Sequence, residues 1–202
     1  MFRAEDLACR RGGRLVVEGV AFALGPGDAL VLRGPNGSGK SSLLRLLAGF
    51  DRPAAGRLTW EGADVALDPP AHRVRLHHLG HADAVKGLLT VRENLAFAAA
   101  LAGGSDGAVV DGALAAFGLE GLVGAPARLL SAGQRRRLAL ARLLAAPRPL
   151  WLLDEPGVGL DAASRARLEA VLADHRTAGG LAVLASHGDV TVPDPLVLEL
   201  GG

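Results

Sequence analysis

The chain has 202 residues, of which 50% are hydrophobic and 21% are charged, and its formal net charge is +1. This length and balance predict one globular domain with a sizeable core, and the small net charge argues against a nucleic-acid partner. The single cysteine, Cys9, excludes an internal disulfide. The longest apolar run is far shorter than the ~18 residues that a membrane-spanning helix needs, so we expect no direct membrane insertion.

The N-terminal part of the chain is predicted to be rich in β-strands. Short apolar runs, separated by turns that contain glycine, give five candidate strands, namely Arg3–Cys9, Leu15–Val17, Val20–Leu24, Asp28–Arg33 and Arg57–Trp60. A further strand is expected over Val74–Leu79, after the turn-like sequence of residues 68–70.

A glycine-rich segment follows the strand that ends at Arg33. Residues 34–42 fit G-x-x-x-x-G-K-[ST], the P-loop or Walker A pattern, and a helix predicted over Ser41–Gly49 supplies the context that the pattern requires. The glycines bring backbone N–H groups close to a phosphate, and the helix N-terminus favours an anion. Lys40 suits the β- and γ-phosphates, and the Ser41 hydroxyl suits Mg²⁺. The alternative is a strand–helix turn that binds nothing.

The segment predicts that ATP and Mg²⁺ are the cofactors. Lys40 is one of only two lysines in the chain, the other being Lys86. A lysine supplies the compact and flexible ammonium that a phosphate-binding loop needs. The predicted nucleotide-binding residues of the loop are Gly34, Pro35, Asn36, Gly37, Ser38, Gly39, Lys40, Ser41 and Ser42.

The pattern becomes helical from Thr90 onwards. Thr90 and Glu93 form a capping box, which predicts a helix as far as Leu101, and the glycine-rich residues 103–107 end it. The elements expected after that break are helices over Ala108–Phe117 and Gly133–Ala145, a strand over Leu150–Asp154, a helix over Ala162–His175, and strands over Leu181–Ser186 and Leu196–Leu200. This order predicts an α/β P-loop core that is interrupted by a helical subdomain.

The strand that ends at Asp154 is a candidate Walker B segment. A buried parallel strand would place Asp154 beside Mg²⁺ at its carboxyl end. Glu155, one residue further on, could orient the attacking water and act as the catalytic general base. The alternative is a strand that ends in two exposed acids.

Residues 130–134, followed by three arginines, form a third element. Ser131 is predicted to cap a helix, and Gly133 removes a side chain close to it, so the helix start could receive an anion. Taken alone, the segment is better explained as an ordinary capped helix with a solvated basic face.

The three elements, in this order, resemble the ATP-binding subunits of ABC transporters. Residues 130–134 are similar to the family's LSGGQ signature, with Ala132 in place of its third-position glycine. The resemblance implies an α/β fold with a RecA-like P-loop NTPase core, an N-terminal antiparallel β subdomain and an inserted helical subdomain. It implies a single domain over 1–202, with the core at 1–80 and 146–202 and the helical subdomain at 81–145.

The resemblance also implies a partner, because two such subunits pack head to tail with two ATP molecules between them. Ser131, Gly133 and Gln134 would then contact the nucleotide that the second copy's P-loop binds. His187, after a predicted strand, would be the catalytic switch histidine that contacts the γ-phosphate. Asp161 would belong to the dimer-contact loop, although it is equally well explained as the N-cap of the next helix.

The chain departs from the family pattern at two positions. His81 stands where the family usually has glutamine, and it could bind Mg²⁺ or the attacking water, or sense the partner. We therefore assign it a catalytic role as a hypothesis. Arg10 and Arg11 stand where the family usually has an aromatic residue that stacks on adenine. A guanidinium can stack on a base, and weak discrimination between bases is the alternative.

The residues around His81 narrow the resemblance. Gly80-His81 and Lys86, followed by the segment 89–95, resemble the haem-exporter ATP-binding subunits of bacterial cytochrome c maturation. Those subunits act peripherally on the cytoplasmic face of the inner membrane with integral membrane permease subunits, and their ATP hydrolysis is linked to haem export or delivery. The alternatives are an ABC ATPase for another exported cargo, a soluble ABC ATPase of DNA repair or translation, and a P-loop kinase, which would leave residues 130–134 unexplained.

The sequence contains no defensible haem-binding signature. His72, His77, His78 and His81 lie close together in the chain. We expect them to form a solvated or loop cluster.

Overall fold

Two β-sheets organise the computed structural model, which describes residues 1–104 and 106–201. The antiparallel sheet has the strand order β2-β1-β4-β5, and the parallel sheet has the order β6-β7-β8-β3-β9. The strands are β1 Phe2–Arg11, β2 Arg14–Leu24, β3 Ala29–Arg33, β4 Ala55–Trp60, β5 Ala63–Asp64, β6 Leu76–Leu79, β7 Leu150–Asp154, β8 Leu181–Ala185 and β9 Leu196–Glu199. Ser105, which belongs to the predicted glycine-rich break, lies outside the described residues.

Six helices accompany the sheets in the described ranges: α1 Lys40–Leu47, α2 Pro69–Arg73, α3 Val91–Leu101, α4 Gly107–Ala116, α5 Ala132–Ala145 and α6 Ala162–Thr177. Both predicted serine or threonine caps are present. The side chains of Thr90 and Ser131 each accept a hydrogen bond from the backbone N–H three residues further on. The side chains of Glu93 and Gln134 in turn accept from the backbone N–H of the capping residue. Within the described residues, no helix has the length and apolar character needed to cross a bilayer.

The inner strands β7, β8 and β3 of the parallel sheet are buried on both faces, which explains their nearly continuous apolar sequences. Along β7, Leu150 and Leu152 pack with α1 and the antiparallel sheet. Trp151 and Leu153, which point the other way, pack with α3 to α6. The predicted α/β class, with its antiparallel subdomain and inserted helices, is thus confirmed.

The structure differs from the strand predictions where the backbone is irregular. The two runs predicted on either side of residues 18 and 19 form a single strand, β2, because the ladder with β1 continues through register shifts. Gly19 on β2 and Asp6 on β1 both have positive φ there, at 67° and 49°. A bulge of this kind keeps two strands paired although the alternating pattern is interrupted.

A short helix replaces part of the predicted turn and strand between residues 68 and 79. Asp68 caps α2 by accepting from the Ala71 N–H at 3.0 Å, and two prolines occupy the first helical positions, where they lose no intrahelical hydrogen bond. Val74 ends this helix, so β6 begins only at Leu76. The short strand β5 and two 3₁₀ turns, at residues 120–122 and 127–129, were not predicted.

The prediction of a solvated histidine cluster is wrong for three of its four members. His72 is 1% exposed, and its Nε2–H donates to the Leu47 carbonyl at 2.9 Å. His77 donates from Nε2 to the Ala146 carbonyl at 2.6 Å. The His78 ring meets the Phe50 ring edge-on, with centroids 5.1 Å apart. The three rings connect separate elements of the fold, and of the four histidines only His81 is exposed.

Candidate nucleotide-binding site

The loop between β3 and α1 can be built only with glycine at two of its positions. Gly34 has φ 141°, and a Cβ there would overlap the Leu200 carbonyl. Gly39 has φ 98°, and its Cβ would lie 2.5 Å from Val17 Cγ2. The loop therefore packs closely against β2 on one side and against Leu200, just after β9, on the other. These contacts determine its conformation.

Lys40 begins α1 and turns back over the loop. Its side chain is 6% exposed, and Nζ donates to the carbonyl oxygens of Gly34 at 2.7 Å and Pro35 at 3.0 Å. An ammonium has three N–H donors, so one remains for another acceptor. Gly39, the N-cap of α1, provides no side-chain cap for the helix N–H groups. This end of the helix is thus available to an anion beside a cation.

A cleft of about 570 Å³ opens over this loop. It brings the P-loop together with Glu155 and His81, two of the residues to which a catalytic role was assigned as a hypothesis. Its wall is formed by Arg11, Arg14, Val16, Asn36, Gly37, Gly39, Lys40, Ser41, Ser42, His81 and Glu155. The cleft thus combines cationic side chains, a helix N-terminus and one carboxylate, a combination that suits a polyanion with a reactive bond.

Arg14 is a residue of the cleft that sequence reasoning missed. The turn at Gly12 and Gly13, with φ of 56° and 80°, makes Arg11 and Arg14 direct partners across the β1–β2 hairpin. Arg11 was predicted at the base-binding position together with Arg10, but the cleft wall pairs it with Arg14 instead. The two adjacent glycines were the available signal, because a two-residue turn places its flanking residues side by side.

Asp154 ends strand β7 beside the cleft, and Glu155 follows it directly. Asp154 is 7% exposed and is paired in register with Ala185 of β8. Glu155 has φ 48°, and its N–H donates to the Ala185 carbonyl at 2.9 Å. A non-glycine residue in this left-handed region is strained by about 1–2 kcal/mol, and such strain is concentrated at functional sites.

His187 lies next to Glu155, with Nε2 and Oε1 3.6 Å apart. The turn that presents it is fixed by Ser186, whose hydroxyl donates to Asp189 at 2.6 Å and accepts from the Gly188 N–H at 3.1 Å. The histidine is therefore held at the carboxyl end of β8, adjacent to the acid at the carboxyl end of β7.

The predicted site residues of the α5 segment lie elsewhere. Ser131 and Gln134 form the capping box of α5, with N···O distances of 3.2 and 2.8 Å. A Cβ on Gly133 would stand 3.2 Å from the Gly159 carbonyl. Among the described residues, the wall of the cleft includes none of these three. The structure therefore separates this segment from the P-loop of the same chain.

Asp161 is the N-cap of α6 and ends the loop that contains Gly159. Its Oδ1 accepts from the Ser164 N–H at 2.7 Å. This hydrogen bond favours the ionised carboxylate and lowers the pKa of Asp161. The capping interpretation of Asp161 is thus realised in the structure.

The chain is similar to known proteins over nearly all of its length. The family model described as ABC transporter matches residues 17–158. A cytochrome c biogenesis ATP-binding export protein CcmA from Rhodospirillum rubrum is 58% identical over 99% of this chain and 85% of its own length. One of the same description from Paramagnetospirillum magneticum is 57% identical over 98% of this chain and 93% of its own length.

A solved structure shares the fold. It is an ATP-binding cassette determined as a dimer in a post-hydrolysis state with ADP and Pi. It superposes with a TM-score of 0.81 at 22% identity and covers 93% of this chain and 88% of its own.

Proposed function

The chain belongs to the ABC transporter family of ATP-binding subunits, and on that premise we propose that it hydrolyses ATP to power a membrane partner in cytochrome c biogenesis. The observation that carries the proposal is the single cleft in which Lys40, Glu155 and His81 meet above the N-terminus of α1. The backbone N–H groups of the loop around Lys40 would bind the phosphates, and the Lys40 ammonium would contact the β- and γ-phosphates.

Mg²⁺ fits the residues beside this loop. The Ser41 hydroxyl lines the cleft, α1 packs against β7, and Asp154 is buried at the carboxyl end of that strand. Ser41 and Asp154 would hold the ion, since Mg²⁺ is usually bound by one or two protein ligands together with waters and phosphate oxygens. When bound, it neutralises negative charge on the phosphates.

The reactive step is assigned to Glu155. Its carboxylate lines the cleft after β7, where it can accept a proton from a water whose oxygen bonds to the γ-phosphorus while the bond to the bridging oxygen breaks and ADP leaves. His187, whose Nε2 lies 3.6 Å from that carboxylate, would contact the same phosphate. His81 lies on the cleft wall and can hydrogen-bond the water, a role that the family usually gives to an amide.

The functional unit is a homodimer in this proposal. Ser131, Gly133 and Gln134 lie outside the cleft of their own chain and form a capped helix start beside the loop that ends at Asp161. Packing two copies head to tail would bring this helix start to the second copy's nucleotide. Hydrolysis would then open the dimer.

The membrane partner would bind the helical region 81–145. Six large apolar side chains of this described region are exposed, and they include Leu88 at 89%, Leu101 at 75% and Phe97 at 42%. Phe97 and Leu101 stand one turn apart on α3 and line the same groove, and neighbouring exposed apolar side chains are typical of a protein interface. We place the subunit on the cytoplasmic face of the bacterial inner membrane, with haem as the group exported or delivered, because the chain is similar to the CcmA proteins over nearly all of its length.

Complementation of a bacterium that lacks its own copy tests the proposal. Wild-type chain should restore covalent haem on periplasmic c-type cytochromes, detected by haem stain, whereas Lys40→Ala should not. Arg3→Ala, which removes an exposed cation on β1 that has no assigned role, is the control for expression. Normal cytochromes in the deleted strain would contradict the role in haem handling while leaving the ATPase assignment intact.

A further inference from the structure

The guanidinium of Arg136 is buried between two segments of the cleft. Arg136 stands in the second turn of α5, and 7% of it is exposed. All five of its N–H groups have an acceptor within hydrogen-bonding distance. The acceptors are the carbonyls of Asp154 at 2.9 Å, Glu155 at 2.7 Å, Pro156 at 3.4 Å and Gly80 at 3.3 Å, and Asp83 Oδ1 at 3.1 Å.

One side of the guanidinium fixes the backbone on both sides of Glu155. Nη2 donates to the carbonyl before Glu155 and to the carbonyl of Glu155 itself. The two peptide planes that flank a residue set the direction of its Cα–Cβ bond. Because Glu155 has the strained φ of 48°, these bonds help to hold a conformation that the residue would otherwise leave.

The other side of the guanidinium holds the segment around His81. Nη1 donates to the Gly80 carbonyl and to the Asp83 carboxylate, and this ion pair is shielded, with side-chain exposures of 8% and 25%. His81 lies between these two anchor points. The Arg136 guanidinium therefore connects α5 both to Glu155 and to the segment of His81, the two residues proposed to bind the attacking water.

We propose that Arg136 is a positioning residue for ATP hydrolysis, which orients Glu155 and His81 without touching the nucleotide. The inference rests on the proposed role of Glu155. Lysine should replace Arg136 only in part, because an ammonium has three donors at one point and cannot reach five acceptors spread around a planar fork.

The test measures kcat, KM and ATP affinity in the full-length chain. We expect Arg136→Gln to lower kcat about 30-fold or more while the dissociation constant of a fluorescent ATP analogue changes less than about 3-fold, since the P-loop is untouched. Arg136→Lys should lower kcat by less. Asp83→Asn, which keeps the three bonds to residues 154–156, should have the smallest effect, about 2- to 5-fold.

Arg137→Gln is the matched control. Arg137 stands next in α5 and donates to the carbonyls of Phe117 and Gly118, away from the cleft. This variant should lose some thermal stability and keep kcat within about 2-fold. Hydrogen exchange, measured without nucleotide, should rise at residues 80–83 and 154–157 in Arg136→Gln and stay unchanged there in Arg137→Gln.

Each result decides the inference. An unchanged kcat in Arg136→Gln, or equal losses of kcat and affinity, would overturn it. If Arg136→Gln does not fold, the order wild type, Asp83→Asn, Arg136→Lys in falling kcat supports the inference, and any other order contradicts it. Absence of ATP hydrolysis in the wild-type chain would instead overturn the proposed function, and this inference with it.

Discussion

The imidazole of His187 lies beside the carboxylate of Glu155, with Nε2 3.6 Å from Oε1. The two residues come from neighbouring parallel strands, β7 and β8, and each follows the last residues of its strand. Since the carboxyl ends of parallel strands meet at one edge of a sheet, the fold alone brings this acid and this base together at the phosphate-binding end.

Glu155→Gln should bind ATP and hydrolyse it about 100-fold more slowly or worse, because an amide cannot accept a proton from the attacking water. The variant should therefore accumulate as an ATP-bound dimer, which size-exclusion chromatography with and without ATP would detect. Glu120→Gln is the control for the loss of one carboxylate, because Glu120 is exposed and does not line the cleft. A normal rate of phosphate release in Glu155→Gln would remove Glu155 from the mechanism.

Lys40→Ala should weaken ATP binding about 10- to 100-fold, as expected when a charged hydrogen-bond donor is lost from a phosphate. Isothermal titration with a non-hydrolysable ATP analogue measures this directly. Lys86→Ala is the matched control, since the Lys86 ammonium lies over the Phe97 ring, 4.8 Å from its centroid, instead of in the cleft. Equal affinities for the two variants would show that Lys40 does not bind phosphate.

Gly39→Ala should destabilise the chain by about 2 kcal/mol or more, because alanine is strained at φ 98° and its Cβ would approach Val17 to 2.5 Å. Gly112→Ala provides the contrast. It lies in α4 with no atom within 4 Å of its Cβ, so alanine should stabilise the helix by about 0.5–1 kcal/mol. Urea denaturation of both variants measures the change in unfolding free energy, which should be a loss for Gly39→Ala and a gain for Gly112→Ala.

The stability of the chain should fall with acidity through His77. Burial lowers the pKa of His77 to about 4, below the ordinary value near 6.5. As the pH falls, the unfolded chain takes up the proton first, so stability that is fully present above pH ~6.5 is lost towards pH ~4. Between pH 7 and pH 5 the loss is at most about 2 kcal/mol.

His77→Gln cannot take up that proton and should show a correspondingly smaller loss of unfolding free energy over this interval. Urea denaturation of both proteins at several pH values measures the difference. Above pH 7.5 the two curves should run parallel, which serves as the internal control. Equal losses in both proteins below pH 6.5 would show that His77 is not held neutral by its surroundings.

The features predicted correctly from the sequence are local ones. The P-loop turn, the helix caps at Thr90 and Ser131 and the apolar strand ending at Asp154 each depend on residues within one short segment, so their spacing was sufficient. Helix α2 was missed although its signals were present, namely Asp68 before two prolines, because the prolines were taken as turn formers.

The features that were missed depend on tertiary contacts. Arg136 is the middle one of three consecutive arginines, and nothing in their order says that it is buried while Arg135 and Arg137 remain partly exposed. His77 lies between Leu76 and His78 on β6, and its neutral state results from burial against residues that are distant in the chain, such as Ala146, 69 positions away. Contacts over such distances are determined by packing and cannot be obtained from spacing.

The capping box of α5 has a consequence for assembly. Ser131 and Gln134 already satisfy each other's backbone groups within one chain, so the segment that would meet a second copy's nucleotide is ordered beforehand. In the proposed dimer, association would then freeze few torsions at this contact, and little binding free energy would be lost to conformational entropy. The lifetime of the closed pair would accordingly be set by the nucleotide between the subunits, which makes dimerisation sensitive to its hydrolysis.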